Sequence, residues 1–128
     1  MNPEKDVMRL FDEWNAAVRS GKPDQVVKLY ATDAVLLPTF SNRVRHNHAE
    51  IRDYFAHFLK NGPSGRIDEG NVRVFGGLAV NSGTYTFRMR KGAVRKVNAR
   101  FTFVYRWDGG RWLIVEHHSS AMPEQAVK

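Results

Sequence analysis

The sequence predicts an α+β domain, with three N-terminal helices packed on a strongly curved, mostly antiparallel sheet. Two observations predict it. Apolar residues recur at helical spacing in the first half of the chain. From Arg66 onward the period changes to two, interrupted by glycine turns. A third observation bounds the answer: 128 residues without cysteine fit one domain, 1–128, whose core needs no disulfide.

The first helix is marked by Val7, Leu10, Phe11, Trp14, Ala17 and Val18 along one face. Asn2 can cap it, Pro3 suits its first position, and Gly21 is placed to end it in the left-handed region. Pro23 opens a shorter helix with Val26, Val27 and Tyr30 as its inward side. Ala34–Leu37 is β-like and stops at Pro38, and a second short strand is expected over Asn42–His46. Asn47 then caps a third helix, with Glu50 at the capping-box position and Ile51, Tyr54, Phe55, Phe58 and Leu59 as its stripe. The segment Asn61-Gly62-Pro63-Ser64-Gly65 ends it.

Four strands follow in hairpin order, separated by Gly76-Gly77, Lys91-Gly92 and Asp108-Gly109-Gly110. Tyr85, Phe87 and Met89 form one face of the second. Phe101, Phe103, Tyr105 and Trp107 do so in the third. Strands this long twist and bend, so the sheet is expected to cup around the helices and enclose a cavity, the natural ligand site. Its outer face still carries Thr, Val, Ile and Trp, which predicts a second copy of the chain there. Alternation assigns Arg100, Thr102, Val104, Trp112, Ile114, Glu116 and His118 to that interface.

Composition narrows the function classes. The net charge is +7, and Arg88–Arg111 holds eight cations against one anion, Asp108. Such a run can draw polyanions. Its aromatics, however, fall at core-strand period and not in an exposed stacking row, so nucleic acid is not the expected partner. No apolar run reaches the ~20 residues of a membrane span, so no membrane partner is expected. The first residues lack the basic-then-apolar pattern of an export signal, which makes the cytoplasm the expected location. Neither a dinucleotide or phosphate loop nor a Ser-His-Asp pattern occurs, and no cofactor is expected.

His117-His118 is the pair most suggestive of chemistry. Neighbours on a strand point to opposite faces. Alternation sends His117 with Leu113 and Val115, and His118 with Trp112, Ile114 and Glu116. A cavity-facing His117 can serve as acid or base, and Tyr85 is the second catalytic candidate. A satisfied structural histidine is the competing reading. Tyr30, Tyr85 and Tyr105 can present hydroxyls at a cavity wall. No acidic residue is placed as a general base, which argues against isomerase chemistry. Trp14, Phe55 and Phe103 are cavity-wall candidates, although aromatics at this spacing more often pack the core than line a ligand site. His46 and His48 have no metal-ligand spacing with a third group, and no metal is expected.

The Phe11–Tyr30 helix pair with Trp14 and Gly21, the Asn42–Arg45 turn region, the helix Ile51-Arg52-Asp53-Tyr54-Phe55, and the strands Phe101–Tyr105 and Gly110–Ser120 carry a resemblance. They resemble the association (hub) domain of calcium/calmodulin-dependent protein kinase II in its stand-alone bacterial form, within the NTF2-like superfamily that also holds ketosteroid isomerase, SnoaL-like cyclases and dehydratases. The likeness runs over about residues 6–122. It implies an NTF2-like cone, homodimerisation through the outer sheet face, higher rings in some members, and an internal pocket for small carboxylates lined by arginines. Arg52 matches one of these arginines. The others fall at Tyr85, Phe103 and Ser119, where the charge is missing. Trp14, Tyr30, Arg52, Phe55, Tyr85, Phe103, His117 and Ser119 are thus the expected ligand-binding set. The resemblance implies a non-catalytic homo-oligomerisation domain with a small-molecule pocket. The alternative is a cofactor-free isomerase, dehydratase or cyclase working through His117 or a tyrosine.

Overall fold

Helix α1 (Pro3–Arg19) forms where its caps place it: the Asn2 side chain accepts the Lys5 N–H, and Pro3 occupies the first turn. The computed structural model describes residues 2–93 and 95–124. Val7, Phe11, Trp14 and Val18 form the buried stripe of α1, and Gly21 ends it at φ 74°. Helix α2 (Pro23–Val27) is a single turn and a half. Tyr30 is not part of it but the first residue of strand β1 (Tyr30–Leu37).

The expected strand over Asn42–His46 is reduced to one bridge, Leu36 with Arg45. Helix α3 (His48–Phe58) starts at Asn47, whose side chain accepts the Glu50 N–H at 2.9 Å. The Glu50 carboxylate reaches back one residue beyond the usual capping box, to the His46 N–H at 2.9 Å and the His46 ring. That bonding, the backbone N–H first, holds the Glu50 carboxyl below its ordinary pKa.

The remaining strands are β2 (Pro63–Phe75), β3 (Leu78–Met89), β4 (Lys96–Trp107) and β5 (Trp112–Ala121). β2 begins at Pro63, three residues before the period-two pattern becomes visible. Proline is tolerated at the first position of a strand. The sheet order is β1-β5-β4-β3-β2, with β1 parallel to β5 and every other pair antiparallel. No described helix is long and apolar enough to cross a membrane.

The register slips at three places, between Tyr30 and Val35 in β1 and at the two bulges of β2 and β5. In β2 the register slips between Ile67 and Glu69, opposite Thr84. Gly83 beside it lies so close to β2 that an added Cβ would stand 1.8 Å from the Glu69 carbonyl oxygen. In β5, Tyr105 pairs with Ile114 but Val104 pairs with Glu116, leaving Val115 as the extra residue. The helices fill the concave face: Phe11 and Trp14 meet Tyr85, Phe87 and Phe103 at ring separations of 5.7–6.3 Å.

The β5 bulge corrects the alternation. Before it, Trp112 and Ile114 share the inner face. After it, His117 and Ser119 do. Ile114 is buried in the core, and Trp112 packs edge-on against Trp107, opposite which it pairs. Neither therefore belongs to the outer face, and His117 does not travel with Leu113 and Val115. Arg100, Thr102, Val104, Glu116 and His118 do face outward: Thr102 pairs with His118, Val104 with Glu116 and Arg100 with Ser120 across β4 and β5, while their neighbours Phe101, Phe103, His117 and Ser119 are buried.

Candidate functional site

The inner face converges on His117. It is 3 % exposed; Phe103 stacks on its ring at 4.0 Å, and Trp14 meets it edge-on at 5.6 Å. Tyr30 Oη stands 2.8 Å from Nδ1, and Tyr85 Oη stands 3.3 Å from Nε2. Both nitrogens are thus engaged by phenols. Burial depresses the His117 pKa to about 3, so the ring is neutral at physiological pH.

The polar contacts continue in both directions. Trp14 Nε1–H donates to Tyr30 Oη at 3.1 Å. Tyr85 Oη donates to Ser119 Oγ, which bonds Thr39 Oγ1. Six side chains from α1, β1, β3, β5 and the loop after β1 form one chain: Trp14, Tyr30, His117, Tyr85, Ser119, Thr39. Burial holds the Tyr30 and Tyr85 hydroxyls well above the ordinary phenol pKa, so they stay protonated.

This chain runs beside an internal cavity of about 20 Å³, counted as the space open to the centre of a water molecule, which is room for one or two waters. Trp14, Phe55, Tyr85, His117 and Ser119 of the expected set line it, with Leu36, Thr39, Phe40, Tyr54, Phe58 and Phe87. Tyr30 reaches it through His117, and Phe103 backs the His117 ring. Aromatic side chains occupy most of the hollow that a bare cone would leave. No charged side chain is among the described lining residues.

Arg52 is not in the site. It lies on the surface, where its guanidinium holds Asp24 at 2.7 Å, and that pair keeps the Asp24 carboxyl below its usual pKa. The pocket position assigned to it by resemblance is corrected: Ile51, its neighbour, takes the inward place on α3.

The buried arginine of this region is one the sequence did not single out. Arg45 is 7 % exposed and bonds the Glu50 carbonyl, the Asp53 carboxylate and Ser41, with its guanidinium 5.8 Å from the Tyr54 ring centre. It lines a wider outer groove of about 360 Å³ that shares Phe40, Tyr54 and Phe58 with the inner cavity. Phe40 is 52 % exposed, stacks on Phe58, and forms part of the wall between the two. The sequence signs of Arg45 were its place two residues before the α3 cap and at the end of the Asn42–Arg45 turn that carries part of the resemblance.

The paired histidines upstream have structural partners: His46 on Glu50, and His48 Nε2 donating to the Tyr30 carbonyl at 2.8 Å. Among the described residues no group of three or more His, Asp or Glu side chains is arranged to hold a metal.

Comparison with known proteins places this geometry. A protein from Xanthomonas campestris, provisionally named a calcium/calmodulin-dependent protein kinase II association domain, is 49 % identical. The match covers 94 % of this chain and 88 % of that one, at a TM-score of 0.89. An NTF2-like protein of unknown function from Pseudomonas putida KT2440 shares the fold at 19 % identity and TM-score 0.82, over 96 % and 89 % of the two chains. A Streptomyces avermitilis protein provisionally named a dehydratase of the NTF2-like family does so at 17 % and 0.82, over 96 % and 100 %. No curated protein matches. The family model of the calcium/calmodulin-dependent protein kinase II association domain matches residues 3–123, and the chain belongs to that family, within the NTF2-like fold.

Proposed function

We propose that this chain is a homo-oligomerisation domain with an internal small-molecule pocket and no catalytic role. The observation that carries the assembly part is the outer sheet face. Helices cover only the concave side, and Val35, Leu37, Val80, Thr102 and Val104 lie half-buried on the other side with nothing over them in one chain. A strip of this kind is what a second copy can cover, with Arg100, Thr102, Val104, Glu116 and His118 at its centre. Membership of an association-domain family supports the same reading.

The pocket part rests on the aromatic cavity beside His117. The competing reading is a cofactor-free isomerase or lyase working through His117 or Tyr85. It needs a ring nitrogen free to take a proton and a carboxylate to partner it. Both nitrogens are bonded to tyrosines, and the described lining holds no carboxylate. Native mass spectrometry of the purified chain tests the assembly: a dimer or larger even-numbered species is expected, and a monomer at micromolar concentration overturns it.

A further inference from the structure

The polarity of the six-residue chain is fixed by counting hydrogens. The indole of Trp14 is a donor only, so Tyr30 Oη accepts from it and has one hydrogen left to give. Tyr85 gives its single hydrogen to Ser119. It can then meet His117 Nε2 only as an acceptor, so Nε2 carries the proton and Nδ1 the lone pair. Tyr30 donates to that lone pair. The opposite tautomer would strand the Tyr30 hydrogen in the core, at the cost of an unmade buried bond. Every donor from Trp14 to Tyr85 therefore points the same way, toward Ser119.

At the far end, Ser119 and Thr39 hold two hydroxyl hydrogens and share one bond. One hydrogen is left over, and both residues line the cavity. We propose that the cavity presents a single hydrogen-bond donor at the Ser119–Thr39 end and takes an uncharged ligand with an apolar body and one acceptor oxygen, such as a ketone, aldehyde or ester. This rests on the pocket reading above.

A carboxylate fits poorly. It would be buried among aromatic rings with no cation in the described lining, and Arg45 nearby is committed to Asp53. Two of the lining residues, Tyr85 and Ser119, belong to the neutral relay itself. Phe40, at 52 % exposed, is the lining ring with open space to swing into when a ligand larger than two waters enters.

Three isosteric or near-isosteric probes test this by chemical-shift titration of the full chain: acetophenone, α-methylstyrene, in which a methylene replaces the carbonyl oxygen, and benzoate. The Phe40→Ala variant is titrated in parallel, so that a closed mouth does not mask binding. The expected order in at least one of the two proteins is acetophenone tighter than α-methylstyrene by about three- to tenfold, the worth of one net hydrogen bond, and benzoate weakest. Equal binding of the first two, or benzoate tightest, overturns the donor inference and leaves the pocket standing. No binding of any probe to either protein overturns the pocket reading and this inference with it. Imidazole ¹⁵N shifts supply an independent check: a protonated Nε2 is expected for His117, and a protonated Nδ1 reverses the chain and refutes the proposal.

Discussion

The imidazole of His117 lies on the ring of Phe103, their centroids 4.0 Å and their planes 19° apart. The two residues are register partners across β4 and β5. Phe103 covers one face of the imidazole, and Trp14 meets the ring at right angles, 5.6 Å between ring centres. This packing accounts for a histidine that is buried without a counter-charge: it stays neutral, with each nitrogen satisfied by a phenol.

A neutral buried histidine makes stability depend on pH in a defined window. The His117 pKa is about 3 in the folded chain and near 6.5 when unfolded. Between those values the unfolded state binds the extra proton. Its contribution is complete above pH 6.5 and is lost as pH falls toward 3, at up to about 1.4 kcal/mol per pH unit. Urea unfolding of wild type and His117→Gln across pH 4–7 checks it. The difference between the two should shrink as pH drops. A difference independent of pH would mean the ring protonates in the folded state.

Tyr30 is predicted to be the most costly hydroxyl of the chain to remove. Tyr30→Phe leaves Trp14 Nε1–H and His117 Nδ1 both buried and unpaired, at about 2–4 kcal/mol. In the Trp14→Phe background the same change strands one group fewer. A double-mutant cycle by chemical denaturation should therefore give a coupling energy of about 1 kcal/mol, and strict additivity would show that the Trp14–Tyr30 bond contributes nothing.

The helices were legible because their signals are local. Asn2, Pro3, Gly21 and Asn47 act within one turn of where they stand, and each holds the predicted place. The glycine turns were legible for the same reason. What local pattern could not supply was the extra residue in β5. Val115 is an ordinary strand residue, and only its pairing with β4 makes it a bulge, so Ile114 and Trp112 were assigned to the wrong face. The Tyr30–His117 bond spans 87 positions and leaves no trace in spacing. The resemblance identified the fold correctly but carried Arg52 into a pocket it does not enter, because Asp24 on the neighbouring helix holds it at the surface.

Arg52 and Arg45 are accordingly predicted to behave in opposite ways. Arg52→Ala removes an exposed ion pair and should leave the melting temperature and probe binding unchanged. Arg45→Leu strips the bonds that tie α3, at the Glu50 carbonyl and Asp53, to Ser41 in the loop that carries Phe40, and should lower the melting temperature by about 5–10 °C. Thermal unfolding of the two variants side by side decides it. A larger loss for Arg52→Ala would show that its contact with Asp24 matters more than its exposure suggests.

The proposed interface makes its own demand on β4. Val104 faces outward opposite Glu116 and touches no part of the core, so Val104→Arg should leave the fold intact. In an assembled pair it would force a long charged side chain into the seam, at a desolvation cost that the Glu116 carboxylate opposite offsets only in part. Size-exclusion chromatography with light scattering should show the variant at half the mass of wild type or less, with an unchanged circular dichroism spectrum. An unaltered mass would move the interface elsewhere.

Gly83 tests what bends the sheet. It sits opposite Gly70 in β3, beside the β2 bulge, where the two strands approach too closely for any side chain. A methyl group there would meet the Glu69 carbonyl at 1.8 Å, and that atom is backbone and cannot swing aside. Gly83→Ala must push β2 off β3 at the bend, opening the floor under Met8 and Asn81, and is expected to cost 3 kcal/mol or more, roughly the upper range for single substitutions. Gly77→Ala serves as the comparison, because nothing lies within 4 Å of a Cβ added there. If denaturation finds the two variants equally stable, the close approach of β2 and β3 is not what sets the curvature, and the cavity beneath it owes its shape to the helices alone.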